Sequence, residues 1–139
     1  RFEMPEQFVP QRGAAGWQLS NAPVMSMAPL KSSLRLFDEA GVDQLRDKSV
    51  ELSDYAFELL DDLSDRGVEI LTPRDPGKRG CQLSITAPGG RALHEQLEEQ
   101  GVVCDFREPD VIRVAPVPLY NSFEDVWEFY SILRTHLSP

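Results

Sequence analysis

The feature that most constrains the fold of this sequence is a long run of apolar residues at helical spacing, from Val42 to Leu63. Apolar side chains recur every three or four positions, which places them on one face of an α-helix, with charged side chains opposite. We expect this helix to end at Gly67, after Arg66 in its last turn. Its apolar face has to be buried against a second layer. The stripe consists of Val42, Leu45, Val50, Leu52, Tyr55, Ala56, Leu59, Leu60 and Leu63.

A second helix is predicted on the N-terminal side of the long one. A roughly helical apolar stripe extends from Val24 to Ala40, and Gly41 ends it. Asn21 is a capping candidate for this helix, and Pro23 lies in its first turn. The short segment before Asn21 is expected to be extended.

Four short strands and two more helices are predicted after Gly67. Residues 102–106 and 111–115 are separated by a tight connection, so we expect an antiparallel hairpin. The last helix follows Ser122, and Asp125 three residues on resembles a capping box. The fold class is therefore α+β, with helices packed on a small, mainly antiparallel sheet. The remaining predicted elements are strands at 68–71 and 81–86 and a helix at 91–100.

The charge of the chain argues against two classes of partner. Its formal net charge is −9, and an acidic surface repels both nucleic-acid phosphates and anionic membranes. No apolar run approaches the length that spans a bilayer. We interpret the acidic excess as a contribution to solubility and expect neither nucleic acid nor membrane as a partner.

The cysteines and histidines give no sign of a metal or nucleophilic site. Cys81 and Cys104 form no C-x-x-C pair and have no histidine at ligand spacing, so no metal is expected. Both lie in apolar stretches, which predicts buried free thiols and a cytoplasmic protein, although a disulfide between them stays open. His94 and His136 are interpreted as surface or edge residues.

Arg113 stands in an otherwise apolar predicted strand. Alternation places Ile112 and Val114 on one face of the sheet and Arg113 on the other. A guanidinium there can bind a planar carboxylate through two parallel hydrogen bonds. The alternative is a structural ion pair. Asn21 carries a similar choice, because its amide either caps a helix or reaches into a site as both donor and acceptor.

Four segments resemble the C-terminal third of the kynureninases. They are residues 16–23 (GWQLSNAP), 79–85 (RGCQLSI), 101–105 (GVVCD) and 112–123 (IRVAPVPLYNSF). They follow one another in the order and at the spacing of that family. The resemblance implies the small C-terminal domain of a fold type I pyridoxal-phosphate (PLP) enzyme. Residues 1–15 would then connect to an upstream cofactor domain, and residues 16–139 would form the small domain.

The resemblance also implies an activity for the intact enzyme. Kynureninases are cytoplasmic homodimers of tryptophan catabolism and NAD biosynthesis that hydrolyse L-kynurenine or 3-hydroxykynurenine. Their products are anthranilate, or its 3-hydroxy form, and L-alanine. By the resemblance, Arg113 binds the α-carboxylate of the substrate and Asn21 lies at the cofactor pocket.

The family's Schiff-base lysine, phosphate-binding groups and pyridine-pairing aspartate lie upstream of the matched segments. Lys31, Lys48 and Lys78 do not match the lysine motif. We therefore expect no catalytic residue in this chain and no activity from it alone. Two other interpretations remain open. One is the matching domain of a related PLP enzyme, such as a cysteine desulfurase-like protein, and the other is a non-enzymatic α+β module that binds a small molecule.

Overall fold

The structure is a computed structural model that describes residues 6–137. The chain divides into two compact units, one up to Glu39 and one from Ala40 onward. Sheet and core lie in the second unit, and the predicted α+β class is confirmed. Residues 1–5 of the predicted connector, and residues 138 and 139 of the predicted small domain, lie outside the described residues.

The first unit contains a 3-10 helix at Gly13–Trp17 and most of helix α1, Val24–Ala40. The extended segment predicted before Asn21 is therefore partly wrong. The carbonyl of Pro23 accepts from the Met27 amide, so Pro23 and not Asn21 occupies the N-cap position. None of the residues of α1 is buried.

Helix α2 spans Val42–Asp61 and opens the second unit. It ends earlier than predicted, because the backbone tightens into a 3-10 turn at Ser64–Arg66 before reversing at Gly67. Gly67 has a φ of 85°, a conformation that favours glycine. The predicted stripe is buried at its centre and C-terminal half, whereas Val42 at its start is exposed.

Within residues 6–137, the sheet has four strands in the order β1-β2-β4-β3, and every neighbouring pair is antiparallel. The predicted hairpin is confirmed as β3 and β4. The predicted strand at 102–106 begins later, because the Val102 amide bonds to the Leu97 carbonyl and closes the end of helix α3. The strands are β1 Glu69–Ile70, β2 Leu83–Thr86, β3 Asp105–Arg107 and β4 Val111–Val114.

Helices α3, Gly90–Glu99, and α4, Phe123–His136, complete the second unit. The helices share one apolar core with the inward side chains of β2 and β4. Burying these side chains is the main source of stability of the unit. The most deeply buried apolar residues are Leu52, Leu60, Leu63, Leu83, Ile85, Leu93, Leu97, Ile112 and Leu133.

The interpretation of His94 as a surface or edge residue is wrong. The residue is 9% exposed, its Nε2 lies 3.3 Å from the carbonyl oxygen of Cys104, and its ring packs at 5.7 Å from that of Phe106. The polar sequence around it misled because only one face of α3 points to the sheet. His136 is partly exposed near the end of α4, as expected.

Candidate functional site

Arg113 lies on the face of the sheet opposite the helical core. Ile112 and Val114 of the same strand are 0% and 9% exposed and belong to that core, as the alternation predicted. The side chain of Arg113 is 28% exposed. Its strand is central, so it has neighbours on both sides: Ser84 in β2 and Asp105 in β3. Arg113 is thus half-buried among polar side chains.

Asp105 forms an ion pair with Arg113 through Nη2 of the guanidinium. The same carboxylate oxygen of Asp105 lies 3.0 Å from Nη2 of Arg107. The hydrogen bond from Arg113 lowers the pKa of Asp105 below its ordinary value, and Arg107 acts in the same direction. The structural ion pair considered from the sequence is therefore present. We call Arg113, Asp105 and Arg107 the arginine cluster.

The Nε–H group of Arg113 is buried and has no hydrogen-bond partner among residues 6–137. Leaving a charged donor of this kind unsatisfied costs roughly 1–3 kcal/mol or more. Native proteins seldom retain such a group, so the unpaired Nε–H calls for an explanation by strain, by a catalytic or binding role, or by an ordered water or ion. The ion pair with Asp105 thus leaves Arg113 with binding capacity that a further anionic group would satisfy.

The segment that follows β4 is held in a fixed conformation. Lys48 Nζ donates to the Pro118 carbonyl at 2.9 Å, and the Val117 amide donates to the side chain of Asn121 at 2.9 Å. Ser122 and Asp125 form the capping box of α4. The segment 112–123 therefore has a structural role as well, because it anchors the end of the strand that carries Arg113.

Arg79 of the segment 79–85 is a structural residue. Its side chain is 1% exposed, pairs with Asp54, and donates to Ser53 Oγ at 3.1 Å. The guanidinium also lies over the ring of Phe57, 4.9 Å from its centre. These contacts tie the loop before β2 to helix α2 and leave no site at Arg79.

Asn21 lies in the first unit, in a bend before α1, and is exposed. Arg113 lies in the second unit, so the structure does not bring the two predicted site residues together within one unit. The role of Asn21 stays a prediction.

Asp105 is the site residue that sequence reasoning missed, although a signal was available. A three-residue connection at 108–110 puts residue 107 opposite 111, and therefore residue 105 opposite 113. The structure has this register. Combining the hairpin with side-chain alternation would have identified Asp105 as the neighbour of Arg113.

A cleft of about 490 Å³ lies away from the arginine cluster. Helix α4, the segment after β4 and the turn after α3 line it. Asp125 and Glu128 are among the lining residues, and their charge makes the cleft a poor site for a carboxylate ligand. Across residues 6–137, no group of three or more potential metal ligands is present, and no helix is long and apolar enough to cross a membrane.

Comparison with known proteins gives one matching family and a set of close relatives. The family model "Kynureninase C-terminal domain" matches residues 45–133. The kynureninase of Xanthomonas euvesicatoria is 53% identical over 133 residues, which cover 93% of this chain and 31% of the relative. That of Koribacter versatilis is 50% identical over 130 residues, with the same coverage. The chain therefore spans about a third of the length of the curated relatives it matches.

Two solved structures share the fold at low sequence identity. A C-DES mutant with glycine covalently linked to its PLP cofactor gives a TM-score of 0.71 at 20% identity and covers 93% of this chain and 36% of its own. A NIFS-like protein gives 0.64 at 19% identity and covers 91% of this chain and 38% of its own. Identities this low establish the architecture alone.

Proposed function

The chain belongs to the kynureninase family, whose C-terminal domain it matches, and from this premise we propose that it binds the substrate carboxylate within a PLP-dependent kynureninase. The intact enzyme would hydrolyse L-kynurenine or 3-hydroxykynurenine. The bond between the side-chain carbonyl and the β-carbon breaks with the addition of one water. The products are anthranilate, or its 3-hydroxy form, and L-alanine. This reaction is a step of tryptophan catabolism and NAD biosynthesis.

The observation that carries this proposal is the state of Arg113. Its guanidinium is half-buried on the polar face of the sheet, and its Nε–H is buried without a partner among the described residues. An α-carboxylate offers two oxygens in the plane of the guanidinium and can form parallel, charge-assisted hydrogen bonds. Binding there would fix the orientation of the amino acid relative to the bond that breaks.

The residues of this chain fit the substrate side of a PLP site. When bound, PLP supplies the electron sink that the bond cleavage needs. Lys48 donates to the Pro118 carbonyl and Lys78 pairs with Asp75, so both amines already have structural partners. Asn21 is the residue of this chain that we assign to the cofactor pocket, where its amide can donate and accept hydrogen bonds. The covalent lysine, the phosphate-binding groups and the pyridine partner are assigned to upstream sequence.

The proposal includes partners and a compartment. An upstream cofactor domain is supported by the length of the relatives, about three times that of this chain. The proposal also includes a homodimer, by analogy with the family. The two free cysteines are consistent with the reducing conditions of the cytoplasm, where we place the protein.

The test is Arg113→Lys in the full-length enzyme. The variant keeps the charge but loses the planar pair of donors, so kcat/KM for L-kynurenine should fall about 10- to 100-fold, the effect of losing a charge-assisted hydrogen bond. Arg91→Lys is the matched control. It makes the same change at an arginine outside the arginine cluster, whose side chain is 57% exposed, and should leave kcat/KM within about twofold. Near-normal turnover of Arg113→Lys would remove the assignment.

A further inference from the structure

We propose that Asp105 is a positioning residue for Arg113, which holds the guanidinium in place through Nη2 and remains bound to it while the substrate carboxylate binds the other donors. This inference rests on the proposed function of Arg113 as the carboxylate-binding residue. It adds a second residue to the site, on the neighbouring strand, that does not itself touch the substrate.

The position of Asp105 is fixed by the register of the sheet. Asp105 and Arg113 are directly opposite one another on β3 and β4. Residues opposite each other on antiparallel strands present their side chains to the same face, with Cβ atoms about 4.5–5.5 Å apart. The tight hairpin between the two strands sets this pairing. The ion pair is therefore built into the fold, unlike a contact between two flexible surface side chains.

A fixed partner lowers the cost of binding the substrate. A free arginine side chain samples many rotamers and loses that freedom when it grips a ligand. The hydrogen bond from Arg113 Nη2 to Asp105 restricts the side chain before the substrate arrives. Loss of Asp105 should therefore raise KM and hardly change kcat. The reason is that Asp105 holds Arg113 equally in the enzyme–substrate complex and in the transition state.

The donors of Arg113 allow two carboxylates to bind at once. A guanidinium carries N–H groups on all three nitrogens, and the contact with Asp105 engages Nη2. The buried Nε–H has no partner among residues 6–137. A second carboxylate can thus be accepted without displacing the first.

The positive charge of Arg107 favours binding of the substrate carboxylate to this arrangement. Without it, the substrate carboxylate would approach a neutral Arg113–Asp105 pair. Arg107 Nη2 lies 3.0 Å from the same oxygen of Asp105, so the arginine cluster carries one net positive charge before the substrate binds. Binding of an α-carboxylate then brings the cluster to neutrality.

The experiment is a double-mutant cycle in the full-length holoenzyme with L-kynurenine as substrate. Asp105→Ala should raise KM about 10-fold, the effect of ordering one long side chain on binding, and leave kcat within about threefold. In an Arg113→Lys background, Asp105→Ala should change kcat/KM by less than about twofold, because the effect of Asp105 depends on the guanidinium of Arg113. Asp105→Glu, which restores the carboxylate, should recover part of the lost affinity.

Glu108→Ala is the matched control. Glu108 lies on the same hairpin and pairs with Arg91, and both side chains are more than half exposed. The variant removes an acidic partner of an arginine without touching the cluster, so KM should stay within about twofold of the wild type.

The outcomes separate this inference from the proposed function. If Arg113→Lys has normal kinetics, the role of Arg113 in substrate binding is wrong. If Arg113→Lys is impaired and Asp105→Ala has the wild-type KM, the positioning role alone is wrong. The positioning role is also wrong if Asp105→Ala changes kcat/KM as much in the Arg113→Lys background as in the wild type. A purely structural role of Asp105 would give that result. Should Asp105→Ala not bind its cofactor, the isosteric Asp105→Asn is measured in the same cycle and decides by the same criteria.

Discussion

At the residue scale, the arginine cluster shows how an apolar strand accommodates a cation. The neighbours of Arg113 on the strand are core residues, so its side chain has only the opposite face available. There Asp105 compensates its charge, and this compensation works in both directions. The guanidinium of Arg113 stabilises the ionised form of Asp105, which gives the pair a signature in acid titration.

We predict that the carboxyl group of Asp105 titrates below about 3.9, the ordinary value for aspartate. The hydrogen bond from Arg113 is the largest cause, so Arg113→Met should raise the midpoint. A lowered pKa in the folded state means that the pair stabilises the fold above the unfolded pKa and that this stability disappears as pH falls through the folded one. The titration midpoint of Asp105 is measured by carboxyl-carbon NMR as a function of pH, in the wild-type chain and in Arg113→Met.

Asp125 serves as the internal control for this titration. Its pKa is also lowered, chiefly by the hydrogen bond from the Ser122 amide, and Arg113→Met should leave it unchanged. An Asp105 midpoint at or above the ordinary value would show that the ion pair is absent in solution.

We also predict that Cys104 reacts slowly with alkylating reagents at neutral pH. Both cysteines are free, as expected, but half-buried, which corrects the expectation that they are buried. Burial raises the pKa of the Cys104 thiol to about 11, with smaller effects from Glu98 and Asp105. Since the thiolate is the reactive form, the rate of iodoacetamide labelling should keep rising up to about pH 11. Mass spectrometry of the labelled peptide follows it, and a midpoint near 8.5 would contradict the prediction.

At the element scale, the start of α4 carries a strong sequence signal that the structure confirms. Ser122 accepts from the Asp125 amide, and Asp125 accepts from the Ser122 amide at 2.7 Å. This capping box begins the helix directly after the segment that anchors β4. Asn121 also donates to Asp125 at 3.4 Å and accepts from the Val117 amide, so the cap is linked to the segment that follows β4.

Ser122→Ala should lower the free energy of unfolding of the chain by about 1 kcal/mol, the usual effect of removing an N-cap side chain. Urea denaturation measures this, with unchanged m-value. Ser131→Ala, within the same helix, is the control. Because alanine favours the helical conformation more than serine, that variant should be neutral or slightly stabilising. Equal destabilisation by both variants would argue against a specific cap.

The two longest helices show that similar periodicity can lead to different environments. The stripe of α2 is buried around Leu52 and Leu60, where it packs with α4 and the sheet. The stripe of α1 has comparable spacing, yet Leu30 and Leu34 are each 54% exposed. Periodicity thus identified both helices correctly, but the apolar stripe that it marks is buried in α2 and exposed in α1.

At the scale of the whole molecule, the chain corresponds to about a third of its kynureninase relatives. We predict that mixing the chain with PLP produces no stoichiometric protein-linked absorbance and no turnover of L-kynurenine. Lys48 and Lys78 have structural partners, and Lys31 lies on a helix none of whose residues is buried. Absorbance titration with borohydride trapping provides the measurement, and the full-length enzyme is the positive control. A one-to-one adduct lost on replacement of one of these lysines would prove the prediction wrong.

The sequence by itself determined the elements of this protein, their order and the face on which Arg113 lies. These follow from local periodicity, glycine stops and capping residues, each of which acts over a few positions. Only the tertiary structure decided that His94 is buried, that β3 begins at Asp105, and that Asp105 binds Arg113 while Nε has no partner in the described part of the chain. These properties depend on which groups pack against a residue in the folded chain, even where those groups lie only a few positions away in sequence, as Asp105 does from Arg113.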